Sequence, residues 1–145
     1  MRATPIAIFA LLLSVSGPCN AQHEPCGLNK MMETTAPFYP PIAKAARVEG
    51  TVILLVTFTT SGEVEKIETI KAPKILESPA RTYVQGWRAN RYTGPRTCPI
   101  VISYRLFPEG DQTPLTAIRS GLQHVRISSP PPPPLYSSYS MQGSK

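Results

Sequence analysis

The sequence predicts an α+β domain in which two helical stretches alternate with three strands. Three observations carry that reading. Residues 51–60 (TVILLVTFTT) are dense in β-branched and aromatic side chains and are bounded by turn residues. Ser61-Gly62 follows at once, and residues 63–71 (EVEKIETIK) return as a second β-rich run. Beyond them Ala80, Tyr83, Val84, Trp87 and Arg91 recur at helical spacing.

The chain has 145 residues, and its first 21 are set apart. Arg2 precedes a mainly apolar stretch of 13 residues, 3–15, broken by Thr4, Pro5 and Ser14, and Ser16, Gly17, Pro18 and Ala21 supply the small and turn-forming residues of a cleavage region. That is the layout of a secretory signal peptide, with cutting expected after Ala21. The apolar run falls short of the roughly 20 residues that span a bilayer. The remaining 124 residues make one modest domain.

Residues 22–35 read as an extended lead-in. The first helix starts around Tyr39-Pro40-Pro41, because proline has no N–H to lose in a first turn, and Gly50 is expected to cap its end. Within the strand at 51–60, Val52, Leu54, Val56 and Phe58 share one face, which alternation makes the core face. In the next run Val64, Ile67 and Ile70 lie three apart, so a bulge or twist is needed. Ser78 and Pro79 suit the start of the second helix, with Gly86 weakening its middle. Residues 99–107 (PIVISYRLF) read as the third strand. Leu115, Ile118, Leu122 and Val125 form an apolar stripe, which predicts an extra helix within 109–127. Residues 128–145, with five consecutive prolines, read as a disordered Pro/Ser/Tyr-rich tail.

The formal charge of +6 comes from scattered single Lys and Arg residues, and no nucleic-acid partner is expected. Once Cys19 leaves with the signal, Cys26 and Cys98 remain, an even pair in an exported chain. One disulfide is expected, closing a loop of 73 residues and stabilising by about 4 kcal/mol. No phosphate loop, metal-ligand spacing or catalytic motif is present, so no cofactor, no metal and no enzymatic activity are expected. A Cys98/His124 nucleophilic pair is conceivable, but a disulfide would silence Cys98, and His124 is placed on the polar side of a surface helix.

The order of elements resembles the TonB C-terminal domain family. The matching residues are Tyr39-Pro40 and Ala43, then Arg47-Val48-Glu49-Gly50-Thr51-Val52, then Phe58 and Ser61-Gly62-Glu63-Val64, and finally Ala80, Trp87 and Arg91-Tyr92. The similarity covers residues 36–108. It implies two helices packed on a three-stranded antiparallel sheet, located in the periplasm. It also implies binding of outer-membrane receptors, whose extended segment adds to the sheet edge as a strand in TonB-dependent transport. By that analogy the receptive edge is Ile100, Val101, Ile102, Ser103, Tyr104, Arg105, Leu106 and Phe107, with Ala36, Pro37, Phe38 and Tyr39 as a second contact. The competing reading makes Ile100 and Tyr104 core and Arg105 an edge-protecting charge.

Departures from the family pattern shape the functional expectation. Energy transducers of the family carry a membrane helix and a long Pro-rich spacer, whereas here only 14 residues, about 50 Å when fully extended, separate signal and domain. The proline run lies after the domain instead. Ala36 stands where the family often has Gln, and Asn90 where it has Trp. The leading expectation is a periplasmic interaction module that binds an extended segment of an envelope protein. It meets the membrane only through a partner or an uncleaved N-terminus. The alternatives are an anchored transducer and a structural protein presenting a Pro-rich arm. Exposed edge strands also allow a homodimer, either domain-swapped or edge-paired.

Overall fold

The structure is a computed structural model and describes residues 26, 30–91 and 97–133. Residues 1–21 and 134–145, on which the expected signal peptide and most of the expected tail fall, lie outside the described residues. So does the Arg91-Tyr92 junction beyond Arg91. Strand β1 (Met31–Glu33) precedes helix α1 (Pro41–Ala45). Strands β2 (Gly50–Phe58) and β3 (Val64–Lys71) follow, then helix α2 (Lys74–Gln85) and strand β4 (Trp87–Ala89). Strand β5 (Thr97–Leu106) is succeeded by β6 (Thr116–Ser120) and β7 (His124–Ser129).

The two helices are as expected, but the three-stranded sheet is corrected to five strands in the order β3-β2-β5-β7-β6. Pairing is antiparallel except between β5 and β7, which run parallel. A separate two-stranded ribbon joins β1 to β4. Val52, Leu54, Val56 and Phe58 line the covered face with Ile100, Ile102, Tyr104, Val125 and Ile127, and all are buried. Leu76, Ala80, Tyr83 and Val84 of α2 close the same core. This burial is the main driving force for the fold.

The extra helix expected within 109–127 does not form. That segment is the β6–β7 hairpin. Gly121, at φ 73°, reverses the chain in the middle of the supposed stripe. The β-branched Thr116, Ile118, Val125 and Ile127 then alternate across a sheet, and Val125 and Ile127 fill the core. The spacing of three and four satisfies the helical period, but Gly121 divides the stripe between two strands, where Ile118 and Val125 lie on opposite faces. Ser128 and Ser129, assigned to the disordered tail, end β7 and are buried.

Helix boundaries shift for local reasons. α1 stops at Ala45, and the left-handed backbone falls on Arg47 (φ 52°) rather than on a capping Gly50, which opens β2. α2 begins at Lys74, so Pro79 lies inside its early turns, and Gly86 ends it rather than weakening its middle. Trp87 therefore sits on β4, not on the helix. The irregular spacing in β3 resolves as two register shifts against β2. They skip Glu65 and Ile70, which explains why Ile70 is 63% exposed. Gly62 (φ 90°) packs against β4 so closely that a Cβ there would meet the Ala89 carbonyl oxygen at 1.8 Å.

Cys26 and Cys98 form a disulfide with a Cα–Cα distance of 5.2 Å, which pins the lead-in to β5. Among the described residues no helix is long and apolar enough to cross a membrane.

Candidate strand-pairing interface

A sheet takes up a further strand only at an edge with unpaired backbone groups. Residues 100–107 do not provide one. β2 pairs with β5 from Gly50↔Tyr104 to Thr57↔Thr97, and β7 pairs with its other side from Val101↔His124 to Leu106↔Ser129. The Val101 N–H donates to the Gln123 carbonyl at 2.7 Å, and the Phe107 N–H to the Ser129 carbonyl at 2.9 Å. The expectation of a receptive edge at Ile100–Phe107 is corrected on this point, because the chain's own β7 fills the position.

The side chains are committed as well. Ile100, Ile102 and Tyr104 are buried, whereas Val101, Ser103, Leu106 and Phe107 are half-buried. Ser103 Oγ lies 3.4 Å from Thr51 Oγ1. Arg105 projects outward but pairs with Glu49 at 3.7 Å, and Glu49 also accepts from the Leu106 N–H at 2.5 Å.

The second expected contact divides. Ala36 and Phe38 are exposed and Pro37 is half-buried. Tyr39 is core, stacked edge-on against Tyr104 with ring centroids 5.2 Å apart. Its hydroxyl donates to the Val48 carbonyl at 2.7 Å. Burial, reinforced by the Glu49 charge and opposed by Arg105, pushes the Tyr39 phenol up to about 12. An apolar hollow lies between the lead-in and α2, lined by Thr35, Ala36, Phe38, Pro79 and Tyr83.

The true edges of the five-stranded sheet are β3 and β6. β3 carries Glu65, Lys66, Glu68 and Lys71 along its length. Lys66 pairs with Glu68 at 2.6 Å, and Arg81 of α2 donates to the Ile67 carbonyl at 3.0 Å and to Thr69 Oγ1 at 3.2 Å. Charges, bulges and a helix side chain together blunt that edge.

β6 is different. Its five residues, Thr116-Ala117-Ile118-Arg119-Ser120, contain no proline and one charge. Pairing to β7 puts Arg119 opposite Val125 on the covered face and Ile118 opposite Arg126 on the open face. Ile118 is 62% exposed. The Arg119 guanidinium turns inward to stand 4.3 Å above the Trp87 ring. It also forms an ion pair with Glu33 of β1 and donates to the Leu122 carbonyl at 2.8 Å. Glu33 in turn accepts from the Tyr83 hydroxyl, and burial together with that carboxylate raises the Tyr83 phenol. Trp87 Nε1 and Tyr104 Oη are buried without a hydrogen-bond partner among the described residues.

Sequence reasoning missed Glu33, Arg119 and the β6 edge. The signal that could have found β6 is the pair of short β-branched runs flanking Gly121. Cys98 is disulfide-bonded, and His124 opens β7, exposed, rather than lying on a helix. Among the described residues no group of three or more His, Cys, Asp or Glu is placed to hold a metal.

The profile of the family described as Gram-negative bacterial TonB protein C-terminal matches residues 35–106. No curated protein matches the chain significantly. Among solved structures, the Pseudomonas aeruginosa TonB C-terminal domain determined in solution matches at 20% identity and a TM-score of 0.43, over 58% of this chain and 89% of that one. The match ends where β5 ends, so the β6–β7 hairpin lies beyond the family region. TonB C-terminal domains are periplasmic transducer and interaction domains that engage outer-membrane receptors in TonB-dependent transport. With α+β architecture over residues 35–106 and the profile match on the same segment, the chain belongs to the TonB C-terminal domain family.

Proposed function

We propose that this chain is a non-enzymatic periplasmic interaction module that captures an extended segment of an envelope protein by strand addition at β6. An outer-membrane receptor of TonB-dependent transport is the leading partner class. The observation that carries the reading is the unguarded edge. Among the described residues β6 leaves one row of backbone groups unpaired, exposes Ile118, and keeps its only charge turned inward. Backbone hydrogen bonds along such an edge supply affinity, and alternate side chains supply selectivity. Placing capture at β6 rather than β5 follows from the parallel β7, which leaves β5 no free side over residues 101–106. Family membership supports the envelope location and the receptor class.

A photo-crosslinking residue at position 118, with a control at position 70 on the opposite edge, tests this in living cells. The expected result is a crosslink from position 118 to one extended segment of an envelope protein, and none from position 70. Equal capture from both positions, or capture from neither, overturns the proposal.

A further inference from the structure

We infer that β6 also pairs with β6 of a second copy, antiparallel, about a two-fold axis beside Ile118. The strand is complementary to itself. An antiparallel partner centred on Ile118 sets Ile118 against its own copy, Ala117 against Arg119, and Thr116 against Ser120. No like charges stand directly opposite, which would destabilise the pair. The hydroxyl residues face each other at both ends, and the exposed isoleucines cover one another at the centre.

Arg119 is the residue that makes the arrangement workable. On a free strand its charge would sit one position from the axis in both copies. Here Glu33, the Trp87 ring and the Leu122 carbonyl hold it on the covered face, away from the seam. The odd length of five residues places a single side chain on the axis. Pairing would join two five-stranded sheets into one continuous sheet. The opposite edge cannot do the same as well. A β3 pair would have to accommodate two bulges, and Arg81 already occupies the Ile67 carbonyl.

This association does not depend on the envelope partner proposed above. Both use β6, so the second copy and the envelope segment compete. A self-paired edge is then the resting state, and partner capture displaces one copy.

Register gives the test. Directly opposite residues in an antiparallel pair have Cα atoms about 4.5–5.5 Å apart, within disulfide range. Two copies of residue 116 would lie four residues apart along the seam, about 13 Å at the strand rise. Ile118→Cys and Thr116→Cys are therefore introduced separately into the full chain, with the Cys26–Cys98 disulfide intact, and mildly oxidised. The inference expects a covalent dimer from Ile118→Cys and at least tenfold less from Thr116→Cys. Sedimentation of the parent chain should show a monomer–dimer equilibrium that Ile118→Glu weakens tenfold or more. The substituted residue is exposed and stands across from Arg126, so the domain should stay folded, as circular dichroism would verify.

Equal crosslinking at both positions overturns the two-fold register. A parent chain that stays monomeric to roughly 1 mM, the range of the weakest specific affinities, overturns the association itself. A monomer that still crosslinks to an envelope segment through position 118 leaves the strand-addition reading standing. A symmetric dimer with no envelope partner leaves only the inference made here.

Discussion

The two outer strands of the sheet are protected in opposite ways. β3 guards itself with its own charges, its skipped residues Glu65 and Ile70, and Arg81 from the helix that follows it. β6 has almost no such guard. Its one charged side chain is drawn inward by Glu33, 86 residues away in sequence. The difference teaches that protection local in sequence makes an edge self-sufficient. An edge shaped by distant contacts depends on whatever fixes those contacts, and here that is the lead-in, tied down by Cys26. β3 belongs to the family region, while β6 and Glu33 both lie outside it.

The largest expected effect comes from cutting that tie. Replacing both Cys26 and Cys98 with serine should lower unfolding stability by about 4 kcal/mol, the entropy of a closed loop of this length. Denaturant titration measures the loss. If β6 depends on remote anchoring, amide exchange should accelerate more in residues 116–129 than in residues 64–71. Uniform acceleration would break the comparison.

Arg119→Leu comes next, at about 2 kcal/mol, because it removes a partly buried ion pair, a cation–π contact and a hydrogen bond to a carbonyl. Arg81→Leu on the other edge should cost about 1 kcal/mol, since water can solvate the Ile67 carbonyl it leaves behind. Thermal melts of the two variants compare the edges directly. A larger loss from Arg81→Leu would reverse the ranking.

These pairs also mark what could be read from the sequence. The covered face of β2 was legible, because Val52, Leu54, Val56 and Phe58 alternate in a long run with one period. The need for irregularity in β3 was legible from the spacing of Val64, Ile67 and Ile70. The disulfide follows from an even cysteine pair in a chain whose start reads as an export signal. The β6–β7 hairpin was not legible as strands, because Leu115, Ile118, Leu122 and Val125 satisfy the helical period by coincidence. That one misreading carried the site with it. With residues 124–129 read as helix and tail, β5 is left as the last strand and so as an edge. The Glu33–Arg119 contact could not be read at all, since nothing in either local sequence points to the other.

Alkaline pH probes the ground beneath the β5–β7 seam. Tyr39 stacks on Tyr104, which pairs with Ile127 of β7, and burial raises both phenols, Tyr39 to about 12. The folded protein keeps these protons to higher pH than the unfolded chain, whose phenols ionise near 10.0. Their contribution is complete below pH 10 and is lost as pH rises through the folded values. Tyr39→Phe should cost about 1 kcal/mol at neutral pH for the hydrogen bond to Val48. It should also flatten the loss of stability above pH 10. A parent and variant that fall in parallel would show that Tyr39 ionises as readily folded as unfolded.

The smallest effect on stability separates the edges most sharply. Ile70 and Ile118 are exposed to almost the same degree, 63% and 62%, one on each outer strand. A carboxylate at either position meets solvent, so Ile70→Glu and Ile118→Glu should each change unfolding stability by no more than about 0.5 kcal/mol. Their effects on association should differ. Ile70 is skipped by the β3 register and has no strand position to offer a partner, so Ile70→Glu should leave sedimentation and capture unchanged. Ile118 sits at the centre of a strand paired on one side only among the described residues, so Ile118→Glu should weaken both at least tenfold. Two isoleucines of equal exposure would then differ only in the backbone beneath them. If Ile70→Glu weakened association as much, exposed apolar area alone would explain it, and the unpaired backbone of β6 would have no special part.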